Sequence, residues 1–189
     1  MYYKLDSEFP MSDEGVYFDV DDGVSIEGVR SWASGEALPD TLPGPIVIEI
    51  EKTGEADEDA LRPIPFNDAN LCIATPEIVD ALRACGLRNL QFYPAVLRDR
   101  VSGKERPYFA INIIGCVAAA DLKKSDWINL DGAARGDSVF MDLVLDKDKL
   151  PGLEIFRLAE DTGTIVVSER VKRALAHCED LQFIPVSAG

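Results

Sequence analysis

One stretch of this chain occurs twice, and that recurrence narrows the possible folds more than any other feature. Residues 71–96 read LCIATPEIVDALRACGLRNLQFYPAV, and residues 165–186 read IVVSERVKRALAHCEDLQFIPV. With Thr75 set over Ser168, Ile78, Ala81, Leu82 and Cys85 fall over Val171, Ala174, Leu175 and Cys178. After a two-residue gap, Leu90-Gln91-Phe92 falls over Leu181-Gln182-Phe183, and Pro94 over Pro185. Apolar residues at i, i+3, i+4 and i+7 form one buried stripe on a helix, so each copy reads as strand, cap, helix, strand. Thr75 and Ser168 are placed to accept from free N–H groups of the first turn. Pro76 suits a first helical position, and Gly86 can take the left-handed conformation that ends the first helix. The second copy has no such glycine and is expected to stop less cleanly.

Between and around the copies lie strand candidates. They are 2–5, 16–18, 46–50, 108–117, 139–145 and 153–158, each a short apolar or alternating run. The charged segment 98–106, with Gly103, reads as a hairpin turn, which makes the run around Ile111 a central strand. Residues 31–45, rich in Gly and Pro, read as a loop, as does the acidic excursion 51–59. Residues 121–127 read as a polar turn anchored by Trp127. Many strands and two confident helices give an α+β fold. We expect a mostly antiparallel sheet built from two related strand–helix–strand halves, with two main helices packed on it. Residues 1–62 form an acidic part of strands and loops, and 63–189 the α+β domain, the two making one compact unit.

No run of apolar residues approaches the roughly 20 that span a bilayer. The start, MYYKLDSEFP, lacks a secretory pattern, and the four cysteines (72, 85, 116 and 178) form no C-x-x-C pair. We expect reduced core cysteines in a cytoplasmic protein. The formal net charge is −15 and it is skewed. Residues 1–62 hold 16 Asp/Glu against 4 Lys/Arg, and residues 63–189 hold 18 against 15. Such a field repels nucleic acid and anionic lipid, and speeds association with basic partners.

No catalytic constellation is visible. The one histidine, His177, is followed by Cys178, and neighbours on a helix point apart, which argues against a Cys–His pair. One His and scattered Cys give no zinc signature, and there is no G-x-S-x-G, P-loop or G-x-G-x-x-G. The segment 19–23 begins like a calcium loop, but Arg30 stands where the closing Glu belongs. We expect no metal and no cofactor. Residues 109–114, beside Arg106 and Tyr108, faintly suggest an RNA-binding strand, which the acidic charge opposes.

In the carboxyl half, Tyr108-Phe109-Ala110-Ile111-Asn112-Ile113, Val117, Ala120-Asp121-Leu122, Lys124-Ser125 and Trp127 carry a resemblance to a family of bacterial immunity proteins, formerly catalogued as a domain of unknown function, whose type member is myxobacterial. It continues through Asp148-Lys149-Leu150, Ile155-Phe156-Arg157-Leu158, Ile165-Val166-Val167-Ser168-Glu169 and Leu181-Gln182-Phe183-Ile184-Pro185, covering roughly 70–186. The resemblance implies a cytoplasmic antitoxin-like protein that binds and blocks a toxin domain of a polymorphic toxin system, without catalysis. Charge suggests the contact residues: Asp19, Asp21, Asp22, Glu27, Glu36, Asp40, Glu55, Asp57, Glu58 and Asp59 toward a basic toxin. Trp32 is either their aromatic anchor or a cap on the core. The alternative is an enzyme or small-molecule sensor with a carboxylate-lined pocket.

Overall fold

The computed structural model describes residues 1–7, 17–20, 29, 31–42, 46–53, 66–68, 71–129, 132–134, 136–150, 152–178 and 181–189; for 17–20, 50–53 and 66–68 it describes the backbone course. In chain order the strands are β1 (Tyr2–Ser7), β2 (Tyr17–Val20), β3 (Ile46–Thr53), β4 (Phe66–Asp68) and β5 (Cys72–Ala74). Helix α1 (Pro76–Ala84) follows, then β6 (Leu90–Asp99), β7 (Glu105–Ile113), β8 (Cys116–Val117), β9 (Asp126–Ile128), β10 (Val139–Asp142) and β11 (Val144–Leu145). After a 3-10 turn at Lys147–Lys149 come β12 (Ile155–Leu158), β13 (Ile165–Ser168), helix α2 (Glu169–Ala174) and β14 (Leu181–Ala188).

Among the described residues the strands form two six-stranded sheets and a separate ribbon. One sheet has the order β11-β14-β1-β13-β12-β8, the other β2-β3-β6-β7-β5-β4, and β9 pairs with β10 alone. Each repeat copy spans a strand rather than pairing its own ends. Helix α1 links β5 to β6, and β7 lies between them antiparallel to both. Helix α2 links β13 to β14, and β1 lies between them antiparallel to both. The α+β class is as expected, but the sheets are mixed. β3 and β6, β11 and β14, and β8 and β12 run parallel. Long connections return the chain to the same end before pairing, which permits parallel neighbours that short turns forbid.

Alternation of side chains sorts the sheets onto three clusters. A central cluster draws on both sheets and both helices: Tyr3 and Leu5 of β1, Ile111 and Ile113 of β7, Ile78 and Leu82 of α1, Val171 of α2 and Leu175 just past its end. Leu82 and Leu175 are almost fully buried, worth about 1.5–3 kcal/mol each relative to exposure. A second cluster lies under segment 31–42 and takes Trp32, Ile48, Tyr93, Leu97 and Tyr108. The third takes Phe156, Leu158, Val166, Leu145 and Val186, with Phe140, Leu143 and Leu150 packed against it.

The local signals hold with particular exceptions. Gly86 has φ 64° after α1, and Ser168 accepts from the Val171 N–H at the start of α2. Thr75 sits at the N-cap of α1 but makes no side-chain cap bond. The 98–106 turn does join a hairpin, in register from Leu90↔Ile113 to Arg98↔Glu105. Within it Arg98 pairs with Glu105 at 2.7 Å, and Arg100 of its turn pairs with Glu49 of β3 at 3.0 Å. The 51–59 loop reading is corrected at its start, because residues 51–53 continue β3; 54–59 lie outside the described residues. The turn read over 121–127 gives way at its end to β9, which takes Asp126 and Trp127, and the 139–145 run breaks at Leu143 into β10 and β11, which join different sheets. Cys72, Cys85 and Cys178 are buried and in no disulfide, whereas Cys116 is exposed and so is no core residue. Among the described residues no helix is long and apolar enough to cross a membrane.

Candidate functional site

Segment 31–42 is a strap pinned to the second sheet by side chains of β6 and β7. The Asn112 amide donates to the Glu36 carbonyl and to Gln91 Oε1, each at 2.8 Å. Gln91 Nε2 donates to the Leu38 carbonyl and Gln91 Oε1 accepts from the Leu38 N–H, both at 2.8 Å. The Tyr93 hydroxyl donates to the Pro39 carbonyl at 2.8 Å. These bonds satisfy backbone groups that no neighbouring strand serves. Trp32 is 5% exposed and packs edge-on to Tyr93, ring centroids 5.7 Å apart. It therefore caps the core. A residue so buried has no surface to offer a partner, which corrects the anchor alternative. Its effect on the surface is indirect, since it holds the strap that presents Glu36 and Asp40, both exposed. Asp19 lies on β2 at the position opposite Glu51. Asp21, Asp22, Glu27, Glu55, Asp57, Glu58 and Asp59 lie outside the described residues.

The ribbon of β9 and β10 is a surface that sequence reasoning did not single out. Ile128 and Val139 are directly opposite each other and 59% and 55% exposed. Met141, 56% exposed, is the extra residue of a bulge between Phe140 and Asp142. Bulges re-aim side chains and interrupt pairing. The ribbon is fixed from behind. Trp127 Nε1 donates to the Leu122 carbonyl at 3.2 Å, Ser125 Oγ accepts from the Val144 N–H at 3.0 Å, and Phe140 packs on the third cluster. At the ribbon's end Asp126 and Asp142 face each other across the pair, both exposed. Like charges directly opposite destabilise a strand pair, so this arrangement is not explained by stability. Three exposed apolar side chains thus share the ribbon with two facing carboxylates.

Two further places bear on chemistry. Glu160 is 8% exposed and accepts from the Ala120 N–H at 3.3 Å. Burial raises its carboxyl pKa, and backbone hydrogen bonds and the Lys149 charge oppose that rise in part. The second is a cleft of about 560 Å³ beside both helices, lined by Glu77, Asp80, Cys85, Arg170 and His177 among others. Here His177 Nε2 lies 3.8 Å from Cys178 Sγ. That corrects the expectation that the two point apart, because α2 ends at Ala174 and both residues sit in the turn beyond it. The RNA-like reading of β7 has no platform to use: Tyr108 is 2% exposed and Arg83 covers Phe109 at 5.0 Å from its ring centre.

The family model for the immunity protein family Imm11 matches residues 2–187. A comparison with curated proteins finds no match.

Proposed function

We propose, since this chain belongs to the Imm11 immunity protein family, that it neutralises a cognate toxin domain by binding it one to one. The observation that carries this reading is the extent of the family match, nearly the whole chain. The protein acts in the cytoplasm of the toxin-producing cell, as part of a polymorphic toxin system, and makes or breaks no covalent bond. Its toxin is basic, because the net charge of −15 favours and accelerates a positive partner. Nucleic acid and membrane surfaces, both anionic, are disfavoured by the same charge. The two repeat copies are related halves of one scaffold, a reading supported by the matching order β5-β7-β6 and β13-β1-β14.

The toxin sits on the β9–β10 ribbon. Ile128, Val139 and Met141 supply the apolar centre, and Asp126 and Asp142 meet basic side chains that relieve their mutual repulsion. The strap acids Glu36 and Asp40, with Asp19, Asp21, Asp22, Glu27, Glu55, Asp57, Glu58 and Asp59, steer the approach. The test is calorimetric titration of the purified chain with the toxin domain encoded beside it. Binding should saturate at one equivalent, and Ile128→Asp with Val139→Asp should weaken it by at least ~2 kcal/mol. Unchanged affinity in that double variant removes the ribbon from the interface, and absence of binding overturns the function.

A further inference from the structure

The two helices exchange contacts at their ends, and the exchange differs in sign. In the repeat alignment Glu77 of α1 falls over Arg170 of α2, and Cys85 over Cys178. Arg170 reaches across to the other copy: its guanidinium donates to the Cys85 carbonyl and pairs with Glu154 at 2.8 Å. Glu77 makes the reciprocal reach. Its Oε1 lies 3.8 Å from His177 Nε2, and His177 Nε2 lies 3.8 Å from Cys178 Sγ. Where one copy brings a cation of its own to the end of the opposite helix, the other brings a carboxylate to an imidazole and a thiol.

We propose that Glu77, His177 and Cys178 bind a divalent cation of the zinc class, clipping the start of α1 to the turn that follows α2. One donor atom from each residue lies within 4.8 Å of the others. Zinc–ligand bonds of ~2.0–2.3 Å in a tetrahedron put donors about 3.3–3.7 Å apart, so small side-chain rotations close the site. The donor set selects the metal. Thiolate and imidazole exclude magnesium and calcium, and one sulfur among three mixed donors suits zinc better than copper(I). Glu77 and His177 line the cleft, so water has access to complete the shell as fourth ligand.

The backbone explains why the site forms. With no glycine to end it, α2 stops at Ala174, and Leu175 at φ −94°, ψ 1° leads into a turn closed by the Cys178 N–H to the Leu175 carbonyl at 3.0 Å. Cys178 is 9% exposed, while His177 and Glu77 have side chains 58% and 64% exposed. Cys178 is in no disulfide, so its thiol is available as a ligand. On binding, its proton goes to solvent and the sulfur–metal bond forms.

Cobalt(II) is the probe. The full chain, reduced and metal-free, is titrated with cobalt(II) in the absence of any toxin. One equivalent should give the near-ultraviolet sulfur-to-cobalt band and the intense visible bands of a four-coordinate ion, and zinc(II) should bleach both. Cys178→Ser should abolish the sulfur band, Cys116→Ser should leave it, and Glu77→Gln or His177→Ala should weaken binding roughly tenfold or more. A spectrum of hexa-aqua cobalt only, or a sulfur band that survives Cys178→Ser, overturns the proposal. Should Cys178→Ser fail to fold, the two exposed-residue variants decide, because unchanged affinity in both also overturns it. The readout is independent of toxin binding, so either reading can fail alone.

Discussion

Gly35 and Gly86 both have positive φ, 74° and 64°, yet their surroundings differ. A Cβ on Gly35 would lie 2.8 Å from the Cys116 nitrogen and 2.9 Å from its Cβ, whereas Gly86 has nothing within 4 Å. Gly86→Ala should therefore cost only the left-handed backbone penalty, about 1–2 kcal/mol. Gly35→Ala should cost clearly more, because the strap must lift from Gly115, whose N–H donates to the Gly35 carbonyl at 2.9 Å. Denaturant midpoints test this, and equal losses would remove the close approach from the account. Glu160 makes a pH prediction. Its folded pKa is raised, so between the unfolded and the folded pKa the folded state holds a proton that the unfolded state has released. That contribution is fully present below the unfolded carboxyl pKa and is lost as pH rises through the folded one. Glu160→Gln should flatten this decline, and so stabilise the protein at neutral pH relative to wild type and not at strongly acidic pH. A variant that is less stable at every pH would contradict it. Trp32 shows what the sequence leaves open at this scale. An indole in a Gly/Pro-rich loop suits a core cap and a partner anchor alike, and only its contact with Tyr93 decides.

Elements were legible where periodicity was long. The helices announced themselves through i, i+3, i+4, i+7 spacing, and the β6–β7 hairpin through a charged turn between apolar runs. The mixed sheets were not legible, because the parallel pairs join strands far apart in the chain, such as β3 and β6. The ribbon was missed for a related reason: Asp126-Trp127-Ile128 carries no alternation long enough to read, and becomes a strand only when β10 pairs with it. The Glu77–His177–Cys178 grouping was missed because it depends on where α2 ends, and no glycine marks that point. At this scale the ribbon predicts kinetics. Asp126→Lys with Asp142→Lys should slow association with a basic toxin domain at low salt, an effect that fades as salt screens it. Stopped-flow rates measure it, and an unchanged rate would mean these facing carboxylates do not meet the toxin. Leu82→Ala tests the shared core, with an expected loss of about 2–5 kcal/mol.

The molecule as a whole is tied together by its first strand and its central cluster. β1 is hydrogen-bonded on both sides, to β13 and β14, and its Tyr3 and Leu5 enter the cluster that both sheets and both helices share. Deleting residues 1–7 should leave two unpaired strand edges and abolish cooperative unfolding; a truncated chain that still melts in one transition near the wild-type temperature would contradict this. The metal clip, where two helices from opposite sheets meet, would add stability by linkage without altering the surface offered to a toxin. That surface is where the central claim stands or falls. The most direct measurement is residual toxin activity against added protein, read at several incubation times. Residual activity should fall linearly to an end point at one molar equivalent and stay the same with time; complete inactivation at a small fraction of an equivalent, deepening with incubation, would show turnover and contradict neutralisation by binding.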